Sequence, residues 1–124
     1  MKKFIILILA LYITGKAGAQ QTIPMTALNA HVGDSVTVCT KIYGGVYLEH
    51  SKGTPTLLNA GDSYPNNPLT ILIWPDVRQL FKESPEFFYK DKEVCITGKI
   101  ILYKEKPEII IYNPAQIVLK PVSE

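Results

Sequence analysis

Few side chains in this sequence are of types that do covalent or metal chemistry, and their spacing matches no catalytic motif. The chain has two cysteines, Cys39 and Cys95, two histidines, His31 and His50, and one arginine, Arg78. There is no C-x-x-C or H-x-x-x-H spacing, so the sequence does not predict a metal site. Neither histidine forms a recognisable motif with a serine or cysteine nucleophile. We therefore expect no catalytic residue, no cofactor and no metal.

Aromatic and basic side chains form the more promising set. Bases of single-stranded nucleic acid stack on aromatic rings, while cations follow the backbone. The same rings could instead cover the ends of a β-structure, with the lysines solvating its surface, and both interpretations stay open. Tyr47, Tyr64 and Tyr112 lie near this set. The candidate ligand-binding residues, in phase with the polar side of predicted strands, are Tyr43, Trp74, Tyr103, Lys41, Lys99 and Lys104.

The N-terminus has the pattern of a secretory signal peptide over residues 1–19. Basic Met1–Lys3 precedes apolar Phe4–Ile13 and the small residues Ala17–Ala19. An apolar run of this length is too short to cross a bilayer, which takes roughly 20 residues. A buried N-terminal strand or helix is the alternative. We predict an exported protein, periplasmic or secreted, with no stable membrane span.

Removal of the signal peptide changes the charge balance. Residues 20–124 keep 13 − 3 = 10 basic residues against 11 acidic ones, a net charge of −1. A near-neutral chain lacks the basic field of a dedicated duplex DNA binder. Its length suits a single domain, and we expect a monomer.

Hydrophobic periodicity predicts the elements that position the candidate residues. A period of two predicts strands, and the change of period after Pro75 predicts a helix near 76–84. A short helix is expected within 20–33, and 115–119 closes the chain. The predicted strands are 34–48, 55–60, 69–74 and the two halves of a hairpin over 93–113, with its turn at 104–106.

This order of elements is that of an OB-fold. The first strand is long and interrupted by Gly44-Gly45, as a small coiled barrel requires. The helix falls between the third and fourth strands. We predict an all-β fold with one helix, a five-stranded OB-fold Greek-key barrel over 20–124, and expect no parallel strands in it.

Several segments also resemble a family of exported bacterial OB-fold domains of the nucleic-acid-binding, tRNA-anticodon-like type. The resemblance covers about residues 27–119. It implies a ligand face on the second and third strands, where OB-folds bind single strands or oligosaccharides. The segments that carry it are Val32–Val36, Leu57–Gly61, Tyr64–Asn66, Ile73–Trp74 and the hairpin Gly98–Ile109.

The OB-fold also bears on the two cysteines. Cys39 and Cys95 lie out of phase with the apolar side of the first and fourth strands, which are neighbours in such a barrel. An even cysteine count in an exported chain favours a disulfide over free thiols. We predict a Cys39–Cys95 disulfide.

The function indicated is a non-enzymatic binding module for single-stranded nucleic acid or another oligomeric ligand. A secreted nuclease family with this fold uses two arginines, whereas this chain has Arg78 alone, and lysine does not reproduce the guanidinium fork. The alternatives are interaction with another envelope protein and recognition of a small ligand or oligosaccharide. Lysines around the tyrosines would favour nucleic acid, and an apolar patch with few cations would favour a protein partner.

Overall fold

The computed structural model describes residues 21–121. The predicted signal peptide, residues 1–19, lies outside this part, and export remains a prediction. Within it, no helix has the length and apolar character needed to cross a membrane. The strands are β1 Gln21–Thr22, β2 Ser35–Tyr47, β3 Thr56–Ala60, β4 Leu69–Ile73, β5 Glu93–Tyr103, β6 Lys106–Ile111 and β7 Ile117–Leu119.

Five of these strands close the predicted barrel. They are hydrogen-bonded in the order β2-β3-β4-β6-β5, and β5 pairs back with β2. This is the OB-fold arrangement, so the predicted fold class is confirmed. The short strands β1 and β7 extend the sheet at β2 and at β5.

The expectation of no parallel strands was wrong. The pairs β1–β2 and β4–β6 are parallel. The parallel pairing of β4 with β6 follows from the other pairs. Because β3 is antiparallel to both β2 and β4, β4 runs in the direction of β2, and β5 runs opposite to β2. The hairpin partner of β5 therefore runs with β4.

The strand β2 serves both sides of the barrel. Its first part, from Ser35 to Lys41, pairs with β5, and its second part pairs with β3. The register shifts between Ile42 and Gly45, and a Cβ at Gly45 would collide with the Leu57 carbonyl oxygen. The double glycine thus allows the close approach that closes the barrel.

Aliphatic side chains fill the barrel interior. The alternating burial of β2 and β5 places every second residue inside. Burying each such side chain stabilises the fold by about 1.5–3 kcal/mol relative to exposing it. Residues with 0% exposure include Val38, Ile42, Leu58, Ile71, Ile96, Ile100 and Ile109.

The helix predicted over 76–84 was wrong in its extent. Only the start of the segment is helical, as the single-turn helix α1 Pro75–Arg78, and a second single-turn helix, α2 Pro85–Phe88, follows the segment. Proline disfavours helical backbone in the residue before it, and Ser84 is extended. Because proline suits the first turn of a helix, Pro85 starts a new one. The remaining helical turns are 3-10, at Met25–His31 and Pro114–Gln116.

Arg78 joins the two helices to the barrel. Its Nη1 donates to Thr56 Oγ1 and to Glu86 Oε1, at 2.7 Å each, and its Nη2 donates to Glu86 Oε2 at 3.1 Å. The guanidinium also lies 3.7 Å from the centroid of the Tyr47 ring. Thr56 and Glu86 are buried. The charges are therefore paired and hydrogen-bonded, as burial requires.

The predicted disulfide is confirmed. Cys39 and Cys95 face each other across β2 and β5, with a Cα–Cα distance of 4.0 Å and a bond between their sulfurs. The Thr37 and Thr97 hydroxyls, in the next pair on the same face, are hydrogen-bonded at 2.7 Å. Both contacts tie the two halves of the barrel together.

We expect Glu86→Gln to lower the free energy of unfolding by about 3 kcal/mol at neutral pH, because it leaves the partly buried Arg78 without its counter-charge. Burial alone raises the pKa of Glu86, but the hydrogen bonds, from Arg78 above all, outweigh it and hold the pKa below its ordinary value. The stabilisation is therefore present above the ordinary glutamate pKa and is lost as pH falls through the lower, folded-state pKa.

Urea unfolding of both proteins at neutral and at strongly acidic pH measures this effect. The exposed neighbour Glu83 provides the matched control, because Glu83→Gln makes the same charge change outside the ion pair. Equal stability of the two variants at neutral pH would show that the Arg78–Glu86 pair does not stabilise the fold.

We expect Cys39→Ser combined with Cys95→Ser to lower the free energy of unfolding by up to about 4 kcal/mol, because the bond closes a loop with a sequence separation of 56. Thermal melting under oxidising and reducing conditions measures the loss. Reduced wild type should melt like the double variant, which should not respond to reductant. Two free thiols in the mass spectrum of protein purified without reductant would contradict the disulfide.

Candidate functional site

A row of aliphatic side chains crosses the outside of the barrel. Val46 on β2 faces Leu57 on β3, Leu57 faces Leu72 on β4, and Leu72 faces Ile110 on β6. Leu57 and Ile110 alternate with buried residues, and paired residues on neighbouring strands share a face, so all four side chains lie on the outside of the barrel. Val46 is 45% exposed, whereas Leu72 is covered by its neighbours and is 7% exposed. We call Val46, Leu57, Leu72 and Ile110 the aliphatic row.

A second row runs parallel to the first, two residues along each strand. Asn59 on β3 faces Thr70 on β4, and Thr70 faces Glu108 on β6. Ile101 of β5 faces Glu108 from the other side. We call Asn59, Thr70 and Glu108 the polar row, and the two rows together the outer wall. The β3–β4 part of this wall is where OB-folds bind their ligands.

A groove lies at each end of the aliphatic row. The groove at the β2–β3 end, of about 440 Å³, is lined by Val46, Leu57 and Tyr64 among others. The groove at the β5–β6 end, of about 370 Å³, is lined by Lys99, Ile110 and Tyr112 among others. The two tyrosines are 77% and 70% exposed, so both rings are accessible to a ligand.

Trp74 and Tyr103 point from the same wall but at opposite ends. Trp74 is two residues beyond Leu72 and is partly exposed, and a Cβ at Gly53 would lie 2.9 Å from its ring. Tyr103 faces Lys106, two residues before Glu108. The register therefore separates the rings by six positions, about 20 Å along the strands. The structure does not bring them together.

The other predicted residues form two further groups. The Lys41 ammonium lies 4.9 Å from the Tyr43 ring centroid, beside the bend in β2, where Lys41 faces Glu93. The Lys104 ammonium lies 5.4 Å from the Tyr103 ring centroid, in the β5–β6 turn. Lys99 stands alone at the β5–β6 groove. The six candidates thus occupy several places around the wall, and their part in binding remains a prediction.

Glu108 is the feature of the wall that sequence reasoning missed. It is 8% exposed, and no hydrogen bond or ion pair from residues 21–121 reaches its carboxylate. Its neighbour Thr70 accepts a hydrogen bond from Asn67 Nδ2, at 2.9 Å. Burial raises the pKa of the Glu108 carboxyl. A charged residue inside an apolar strand, Pro107–Ile111, was the signal available in the sequence.

Two of the groups that could do other chemistry are already engaged. Arg78 is held by Glu86, and His31 Nδ1 lies 3.1 Å from Asp34 Oδ2. Within the described part of the chain, no three His, Cys, Asp or Glu residues are grouped so as to hold a metal ion. The arrangement of the outer wall is suited to binding through apolar contact, stacking and one buried acceptor.

No protein-family model and no curated protein sequence matches this chain. Among solved structures, the fold is similar to a crystal structure described as that of an aspartyl-tRNA synthetase from Leishmania major Friedlin, with a TM-score of 0.53 and 11% sequence identity. The match covers 94% of this chain and 24% of that one, so the chain spans about a quarter of the enzyme. At this identity the likeness concerns the fold alone.

We expect Glu108→Gln to be at least as stable as the wild type at neutral pH, because the folded state no longer buries an unpaired charge. A carboxyl whose pKa is raised by folding loses stability as pH rises through the range between its unfolded and folded pKa values. The Glu108→Gln protein should not lose stability over this pH range in this way. Melting temperatures across that pH range measure it, with exposed Glu105→Gln as the control. If the melting temperatures of both variants and the wild type depended on pH in the same way, the buried, raised-pKa carboxyl of Glu108 would be contradicted.

Proposed function

We propose that the chain is a non-catalytic OB-fold binding module that holds an extended ligand along its outer wall. The observation that carries this proposal is the aliphatic row, which crosses four strands and ends in a tyrosine-lined groove on each side. A flexible oligomer can follow a curved wall of this kind. A non-catalytic role is supported by Arg78, because its guanidinium is hydrogen-bonded to Glu86 and Thr56 and so does not face a substrate phosphate.

Single-stranded nucleic acid is the ligand we propose first. Tyr64 and Tyr112 offer exposed rings at the two ends of the row, and Trp74 and Tyr103 offer rings at its edges. Stacking on one such ring contributes about 1–3 kcal/mol per base. Lys41, Lys99 and Lys104 could contact phosphates from the edges. The resemblance to OB-fold domains of the nucleic-acid-binding type supports the same ligand, which a protein exported as predicted would meet in the periplasm or outside the cell.

A protein partner in the envelope is the second candidate, because the centre of the wall is aliphatic and poor in cations. Among the described residues, no lysine lines the groove at the β2–β3 end. Interfaces between proteins have such apolar, charge-depleted centres. An oligosaccharide, stacked on the same tyrosines, would use the wall in a third way.

We expect Tyr64→Ala and Tyr112→Ala each to weaken binding of a labelled single-stranded oligonucleotide by about 5- to 150-fold, the loss of one stacked base. Fluorescence anisotropy at two salt concentrations measures affinity and its salt dependence, on DNA and RNA strands. Phe87→Ala is the matched control, because Phe87 is a 76% exposed ring on α2, outside the wall. The same assay on Tyr43, Trp74 and Tyr103 variants tests the residues proposed from the sequence.

Two results would overturn parts of this proposal. If no single strand binds in a salt-dependent way, nucleic acid is not the ligand, and envelope proteins and glycans are tested on the same variants. If strands bind but Tyr64→Ala and Tyr112→Ala behave like Phe87→Ala, the ligand lies elsewhere than on the outer wall.

A further inference from the structure

The strongest unexplained feature of the outer wall is the Glu108 carboxylate. It faces Thr70 and Ile101 across two neighbouring strands and lies beside the aliphatic row. Residues 21–121 supply it with neither a hydrogen bond nor an ion pair, although it is 8% exposed. The 8% that stays exposed leaves Glu108 a small contact with water.

A ligand covering the wall removes that remaining water. An acceptor that is buried without a donor is costly, more so when it is charged. A ligand that presents an N–H or O–H group at Glu108 avoids this cost. The apolar surroundings strengthen such a bond, because the local dielectric is low.

The bases of a single strand differ in what they offer a carboxylate. On its Watson–Crick edge guanine has two adjacent donors, N1–H and the N2 amino group, which match the two carboxylate oxygens. Adenine and cytosine place one amino group beside an acceptor nitrogen, and uracil and thymine place one N–H between two carbonyl oxygens. An acceptor facing a carboxylate is repelled, so guanine alone makes both bonds. Single strands are commonly read on this edge.

The lysines near Glu108 favour a ligand that places a base at Glu108 and its phosphates to either side. Lys106 precedes Glu108 by two residues on the same face of β6. Lys99 precedes Ile101 by two residues on β5 and lines the groove that also contains Ile110. The carboxylate itself repels phosphate, which turns the base rather than the backbone toward the wall.

We propose that Glu108 is a specificity-determining residue that selects guanine in a single strand bound to the outer wall. This inference rests on the proposed function and adds a base preference to it. The carboxylate accepts from N1–H and from the N2 amino group, a charge-assisted bidentate pair. No bond is made or broken, and the site needs no metal.

The test uses twelve-residue strands of thymidine, and of uridine, that differ at one central position. Guanine, inosine, adenine and cytosine are placed there in turn, and affinity for the folded protein is measured by anisotropy. Guanine should bind about 5- to 150-fold more tightly than the unsubstituted strand, the range of a good bidentate base contact. Inosine, which lacks only the N2 amino group, should lose most of that gain.

Glu108→Gln should abolish the guanine preference, because an amide presents one acceptor and one donor. Glu105→Gln carries the same charge change on an exposed turn residue and should keep the preference. Equal affinity for all strands, or a guanine preference that survives in Glu108→Gln, would overturn the inference and leave the binding module intact. Failure of every strand to bind would overturn this inference together with the nucleic-acid ligand.

Discussion

The whole structure depends on one strand, β2, that pairs with β5 and with β3 and so closes the barrel. The strand β2 forms a ladder with β5 up to Lys41 and with β3 from Ile42 onward, and the register of the second ladder shifts at Gly44-Gly45. A side chain at Gly45 would collide with the β3 backbone at Leu57. Without that close approach the sheet would stay open, and its two edge strands would present unpaired backbone groups.

Barrel closure has consequences on both surfaces of the wall. Inside, the alternating residues of all five strands meet in one aliphatic core. Outside, the same registers align Val46 with Leu57 and Leu72 with Ile110, so that side chains from distant parts of the chain form one row. At the barrel end, Arg78 and Glu86 fasten the helical segment by a buried ion pair.

The outer wall combines two properties. It is aliphatic over four strands, and it contains a nearly buried carboxylate to which residues 21–121 supply no donor. A buried acceptor of this kind disfavours the folded state of the free protein, because a charged group is withdrawn from water. A ligand that supplies the donor relieves this penalty, which links the local instability of Glu108 to selectivity in binding. Strained or unsatisfied groups concentrate at functional sites for this reason.

The sequence by itself predicted the five strands of the barrel and most of their inward residues, because alternation depends only on neighbouring residues. It did not predict β1, and Leu102, expected inside, is 48% exposed. It also predicted the Cys39–Cys95 pair, once the strand order made β2 and β5 neighbours. Only the tertiary structure decided which outward residues share a row. Trp74 and Tyr103 alternate outward as expected, yet the register sets them at opposite ends, while Glu108 comes to lie beside Thr70. The physical reason is that alternation determines the face on which a side chain lies, whereas its height along the barrel depends on pairing between segments far apart in the chain.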